Sequence, residues 1–217
     1  MAHSHPTPSL AQLRKAREEF NASEPRGFFY WSVTKLVASV LDTNEMTAST
    51  LDDLVRALMM LLTTWNKNFY RFFGRRKPGM TLDEHFDEVE KVIAKHFDRL
   101  MQLRMLRMDK ELDLPEREIV PIFADFSSAL GRVGAAKCLH LLAPYYFPLW
   151  DAAILNGYGL ETKEYRRRTD AERYVAFMRI TKAQLDKLGD LSSFTDNPLK
   201  CLDEYNYCRF TQGIQFD

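Results

Sequence analysis

Lys137 and Asp151 are the residues whose types and spacing could carry chemistry. They flank one compact stretch, Phe126 to Gly159, which turns at Gly131-Arg132-Val133-Gly134 and is punctuated by Pro144 and Pro148. A lysine amine can attack an electrophilic carbon and form a Schiff base, or stay charged and hold a phosphate. A carboxylate fixed where water is scarce stabilises positive charge that develops during a reaction, or orients a water. Trp150, next to Asp151, could supply an apolar wall that raises the acid's pKa or confines an extruded base. The glycines allow a tight turn whose exposed amides, at the start of the following helix, bind phosphate without reading base sequence. Taken on the glycines alone, the stretch also fits an ordinary helical corner with a solvated lysine.

Further residues suit a nucleic-acid role. Trp65, Asn66, Tyr70 and Arg71 fall at helical spacing, so Asn66 and Tyr70 would share a surface that stacks a base and bonds its edge. The competing reading is that these aromatics are core. Arg75-Arg76-Lys77 forms a basic turn suited to phosphates, or simply to water. His140, one helical turn after Lys137, could tune that lysine or could be a buried histidine bonded to backbone.

The elements that must position these groups read as helices throughout. Leu10 to Phe20 is a charged helix broken by Pro25-Arg26-Gly27, and Phe28 to Leu41 is an apolar one. Thr50 is the predicted cap of a helix through Leu54, Leu58, Leu61 and Leu62, which continues past Trp65 to Gly74. Thr81-Leu-Asp-Glu predicts a capping box for a helix to about Arg107. Pro115 opens a helix to Leu130 that Pro121 could kink, and a second run spans Ala135 to Leu142. Thr169 or Asp170 caps the next helix, and Asn197-Pro198 starts the last. No stretch alternates with period two, so the fold class is all-α. The expected divisions are 1–24 (tail and first helix), 25–114 (a helical lobe), 115–160 (the glycine-hinged unit) and 161–217 (helices packing on both).

Composition narrows the function. Thirty Lys and Arg balance thirty Asp and Glu, so no global field draws the protein to nucleic acid or membrane, and local patches must act instead. Cys138, Cys201 and Cys208 lack metal-ligand spacing and are too few for a four-cysteine cluster; they read as reduced thiols. His3 and His5 sit in a polar tail with no apolar signal region, and no apolar run reads as a membrane span, so a cytoplasmic protein without membrane contact is expected.

The order Leu130-Gly-Arg-Val-Gly, Lys137, His140-Leu-Leu, Pro144, then Phe147-Pro-Leu-Trp-Asp151 resembles the helix-hairpin-helix DNA glycosylase superfamily over Leu130 to Ile154. It is most similar to the branch associated with hypermodified pyrimidines in phage DNA. The pattern departs in four ways. Gly131 and Arg132 stand where that family has proline and glycine. Lys137 lies one residue late, Asp151 follows its proline by three positions rather than two, and the lysine-to-aspartate interval is short. The resemblance implies a two-lobed helical domain with a helix-hairpin-helix unit and an interlobe cleft. It implies a DNA glycosylase that flips and excises a modified, bulky pyrimidine, in defence against phage with modified DNA. Asp151 would stabilise the oxocarbenium-like sugar, and Lys137 would be nucleophile or phosphate ligand. Trp65, Asn66, Tyr70, Trp150 and His140 would meet the base. Gly131, Arg132, Val133, Gly134, Arg71, Arg75, Arg76 and Lys77 would meet the DNA backbone. The partner would be DNA, bound by a monomer with no cofactor or catalytic metal, beyond a monovalent cation at the hairpin. The alternatives are a non-catalytic helix-hairpin-helix module that binds DNA or protein, and an enzyme that remodels a base adduct.

Overall fold

A computed structural model describes residues 7–24, 27–42, 47–110 and 113–216. His3, His5 and the Pro25-Arg26 break lie outside them. The described residues are helical and contain no strand, as the sequence predicts. The helices are α1 (Leu10–Ser23), α2 (Gly27–Leu41), α3 (Ala48–Trp65), α4 (Lys67–Arg71), α5 (Phe73–Arg76), α6 (Leu82–Arg104), α7 (Glu116–Leu142), α8 (Ala152–Gly157), α9 (Asp170–Leu188) and α10 (Pro198–Asn206). A 3₁₀ turn covers Tyr165–Arg167, and a π-turn covers Tyr207–Thr211.

Most boundaries follow from caps. Capping boxes at Ser9/Gln12, Thr81/Glu84 and Thr169/Glu172 start α1, α6 and α9, each satisfying amides that a helix start leaves unpaired. Asn197 caps α10, with Pro198 in the first turn. One cap differs from expectation: Thr47, not Thr50, starts α3, its hydroxyl accepting from the Thr50 amide at 3.1 Å. Either threonine satisfies the local rule, and the earlier one buries Leu51, at 8% exposure, in the first turn.

The helix through Trp65 does not run on to Gly74. It ends at Asn66, and α4 and α5 follow as short separate pieces. The hinge also differs from a four-residue hairpin. Only Gly131 leaves helical geometry, at φ 69° and ψ 160°, and helix resumes at once. That backbone region is open essentially to glycine alone. Pro121 lies within the first half of α7 without a comparable break.

The break strands carbonyls at the end of the first half of α7, and side chains from the corner after α3 supply donors. Asn66 Nδ2 donates to Leu130 O at 3.1 Å, and Lys77 Nζ to Ser128 O at 2.9 Å. Trp150 Nε1 donates to Arg132 O at 3.0 Å from the other side. The chain from Trp65 to Lys77 is thus stapled across the hinge at both ends.

α7 packs against α6 and α9, α2 lies on α3, and α1 lies on α10. Beneath the hinge, Phe123 stacks on Tyr174 with ring centroids 4.1 Å apart, and Trp150 stands edge-on to both. Fully burying one such phenylalanine contributes about 1.5–3 kcal/mol. By length and composition α7 is apolar enough to cross a membrane, which the sequence reading did not anticipate. Its apolar residues instead fill the centre of the core, where Ile119, Phe123, Phe126, Leu130 and Leu139 are wholly enclosed by neighbouring helices. The three cysteines are free and buried.

Candidate functional site

A cleft of about 500 Å³ opens beside Gly131, a size suited to a small ligand or a single base. One wall is the corner after α3, with Trp65, Asn66 and Phe69. The floor is Leu130 to Val133 with Lys137, and the opposite wall is Leu149 to Ile154. The two ends of the described chain close it, through Phe20, Glu24, Asp203, Tyr207 and Thr211. Lys137 and Asp151 therefore line one cleft, together with the turn that lies between them in sequence.

Asp151 is the N-cap of α8. Its Oδ1 accepts from the Ile154 amide at 2.8 Å, and its Oδ2 accepts from the Thr211 hydroxyl at 2.9 Å. The carboxylate is thus held at both oxygens while it remains at the cleft wall. Lys137 Nζ donates to Trp65 O, the last carbonyl of α3, and lies 5.7 Å from the Trp65 ring centroid. A cation is favoured there, because the carbonyl end of a helix carries partial negative charge. Trp65 is itself fixed, its ring stacked on Tyr30 at 5.6 Å and 11°.

Among the described residues, Lys67 and Arg76 line the cleft, are exposed and have no carboxylate partner. Arg132 lines it too, but Arg132 Nη1 is bound to Glu161 at 2.5 Å, so its charge is already balanced. Arg75, Arg76 and Lys77 border a shallower depression on the far side of Gly131, with Ser127 and Ser128. There Arg75 lies over the Phe72 ring at 5.7 Å, as does Arg71 at 5.4 Å.

Several predicted site residues stand elsewhere. His140 is in the core: its Nδ1 faces Phe147 O at 2.7 Å and its Nε2 faces the Tyr30 hydroxyl at 2.7 Å. Nδ1 against a carbonyl must donate, so a neutral ring accepts from Tyr30 through Nε2. Burial pushes the imidazole down to about 4 from its ordinary 6.5. A histidine kept neutral when folded binds a proton on unfolding, so its contribution is complete above pH 6.5 and declines as pH falls toward 4. A thermal melt series should therefore lose stability across that window, and His140→Gln, which removes the titrating ring, should flatten the loss. Equal slopes in both proteins would contradict the assignment.

Tyr70 does not line the cleft beside Asn66, although Asn66 is the N-cap of the short helix α4 that carries it. Its hydroxyl points instead to His85 Nε2 at 3.3 Å and Met59 Sδ at 3.5 Å. Gly134 is buried rather than part of an exposed clamp: a Cβ there would lie 2.6 Å from Asn66 Nδ2. Lys77 is tied to Glu88 at 2.7 Å as well as to Ser128 O, so its role is to hold the hinge. Trp150, 1% exposed, braces the turn from the core and offers little face for stacking.

The sequence reading missed Phe20, Glu24, Lys67, Phe69 and Thr211 as cleft residues. Asp203 and Tyr207 line the cleft as well, with the Tyr207 hydroxyl donating to Glu24 Oε2 at 2.8 Å. Only the acidic-aromatic composition near 203–207 offered a signal. Phe20, Glu24 and Thr211 arrive through tertiary packing from the chain's far ends, whereas Lys67 and Phe69 adjoin Asn66 in sequence. Comparison of the chain with protein-family models, with curated proteins and with solved structures finds no match.

Proposed function

We propose that this chain is a DNA glycosylase that takes a flipped, modified pyrimidine into the cleft beside Gly131 and hydrolyses its N-glycosidic bond. The observation that carries the reading is the meeting of Lys137, Asp151 and the Gly131 turn at one cleft, next to Lys67 and Arg76, exposed cations with no carboxylate partner among the described residues. Glycosidic cleavage builds positive charge on the sugar. A carboxylate anchored at both oxygens and set in a partly apolar wall stabilises that charge without reorganising. Trp65, rigidly stacked on Tyr30, offers a fixed aromatic surface for the extruded base. The exposed Lys67, Arg71, Arg75 and Arg76 suit backbone phosphates on either side of the turn.

Lys137 fits the role of a fixed cation better than that of a nucleophile, since its Nζ is held against the last carbonyl of α3 and near the Trp65 ring, both of which suit an ammonium. Borohydride added during turnover is therefore expected to trap no protein on DNA. Lys137→Gln should weaken binding to all sequences and lower the salt slope by about one. A trapped adduct that disappears in Lys137→Gln would make the lysine the nucleophile.

One observation favours a second reading, a non-catalytic binding module. Asp151 caps α8, a structural task that accounts for one of its two hydrogen bonds. Base release separates the two: a glycosylase leaves abasic sites and a module leaves DNA intact.

A further inference from the structure

We propose that Thr211 is a positioning residue whose hydroxyl pins the Asp151 carboxylate, delivered to the cleft by the π-turn at Tyr207–Thr211. This deepens the glycosylase reading and rests on Asp151 as the acting carboxylate. A helix cap needs one carboxylate oxygen, and Asp151 Oδ1 supplies it to the Ile154 amide. The second oxygen is bonded by Thr211, sixty residues further along the chain, at 2.9 Å. With both oxygens engaged, the carboxylate plane cannot rotate about its terminal bond.

The turn that brings Thr211 there departs from regular helix. Gln212 N bonds Tyr207 O at 3.0 Å, a five-residue step in place of four. Such widened turns are rare and frequently lie at functional sites. Two contacts hold this one. The Tyr158 hydroxyl donates to Asn206 Oδ1 at 2.8 Å just before the turn. The Phe210 ring lies where a side chain on Gly157 would begin, 2.3 Å from an ideal Cβ, so the bare glycine of α8 admits the ring. The two hydroxyls at the ends of the turn then meet two carboxylates of the cleft, Tyr207 on Glu24 at 2.8 Å and Thr211 on Asp151. Thr211 is exposed and contributes little to the core, so replacing it should leave the fold intact.

The test uses the full chain as wild type, Thr211→Val (the same shape without the hydroxyl) and Thr211→Ser (the hydroxyl retained). Hydrogen exchange of the Ile154 amide reads the pin without activity. It should quicken about fivefold in Thr211→Val, the scale of one lost hydrogen bond, and return to the wild-type rate in Thr211→Ser. On a duplex carrying one 5-hydroxymethyluracil, Thr211→Val should lower kcat about tenfold with KM unchanged, and Thr211→Ser should restore it. Equal Ile154 exchange in all three proteins overturns the proposal, as does a raised KM with kcat preserved. A wild type that releases no base overturns the glycosylase reading instead, and the pin then stands or falls on the exchange result alone.

Discussion

Asp151→Asn should cut base release by at least about a hundredfold, the scale of one preorganised electrostatic group, while DNA binding holds or tightens. The substitution is unusually clean at this position. Asparagine is as good an N-cap as aspartate, so Oδ1 can still accept from the Ile154 amide and α8 should persist. The atom that replaces Oδ2 becomes a donor, and the Thr211 hydroxyl can turn to accept from it. What is removed is the charge, and charge is what favours the transition state over the bound substrate. Single-turnover rates with saturating enzyme, beside equilibrium binding, measure the two quantities separately. Base release at the wild-type rate would strip Asp151 of its catalytic role and leave it a helix cap.

The second large effect is on stability. Gly134→Val is expected to cost about 2–6 kcal/mol. The first carbon of any side chain there meets Asn66 Nδ2 at 2.6 Å and Leu130 Cβ at 2.9 Å, both inside the core. Overpacking of this kind costs about 1–3 kcal/mol. Pushing Asn66 aside also orphans the Leu130 carbonyl that it caps, for about 1–3 kcal/mol more. Urea unfolding should show the midpoint falling with little change in slope. A Gly134→Val protein as stable as wild type would mean that Asn66 does not staple the hinge. Loss of DNA binding in this variant therefore reports on the fold before it reports on a phosphate clamp.

Much of the scaffold was legible because its signals are local. Thr81 with Glu84 and Asn197 with Pro198 are cap patterns complete within four residues, and each starts a helix where read; of the two candidate caps at 169 and 170, Thr169 is the one used. Gly131 was legible as a hinge, but its extent was not. Gly134 looked like a second turn glycine, whereas it is glycine because Asn66, distant in sequence, needs the space. α3 also stops at Asn66, where periodicity would have continued it, and the Tyr70 hydroxyl turns to His85. His140 followed the spacing of Lys137 along the helix, yet the core lies on its side of α7, with Tyr30 arriving from α2 to meet it. The pairing of Lys137 with Asp151 survived because both flank one short hinge. Thr211 and Glu24 were invisible because only the packing of the chain's two ends over α8 brings them to the same cleft.

Base excision leaves abasic sites, which one assay reads directly. Wild-type protein is incubated with duplex and single-stranded oligonucleotides, each carrying one 5-substituted pyrimidine at a known position, and alkali then cleaves any abasic site. Strand breaks are expected at the modified position of at least one oligonucleotide and none in unmodified controls. Intact strands across the set, from protein that binds the same oligonucleotides, would contradict base excision.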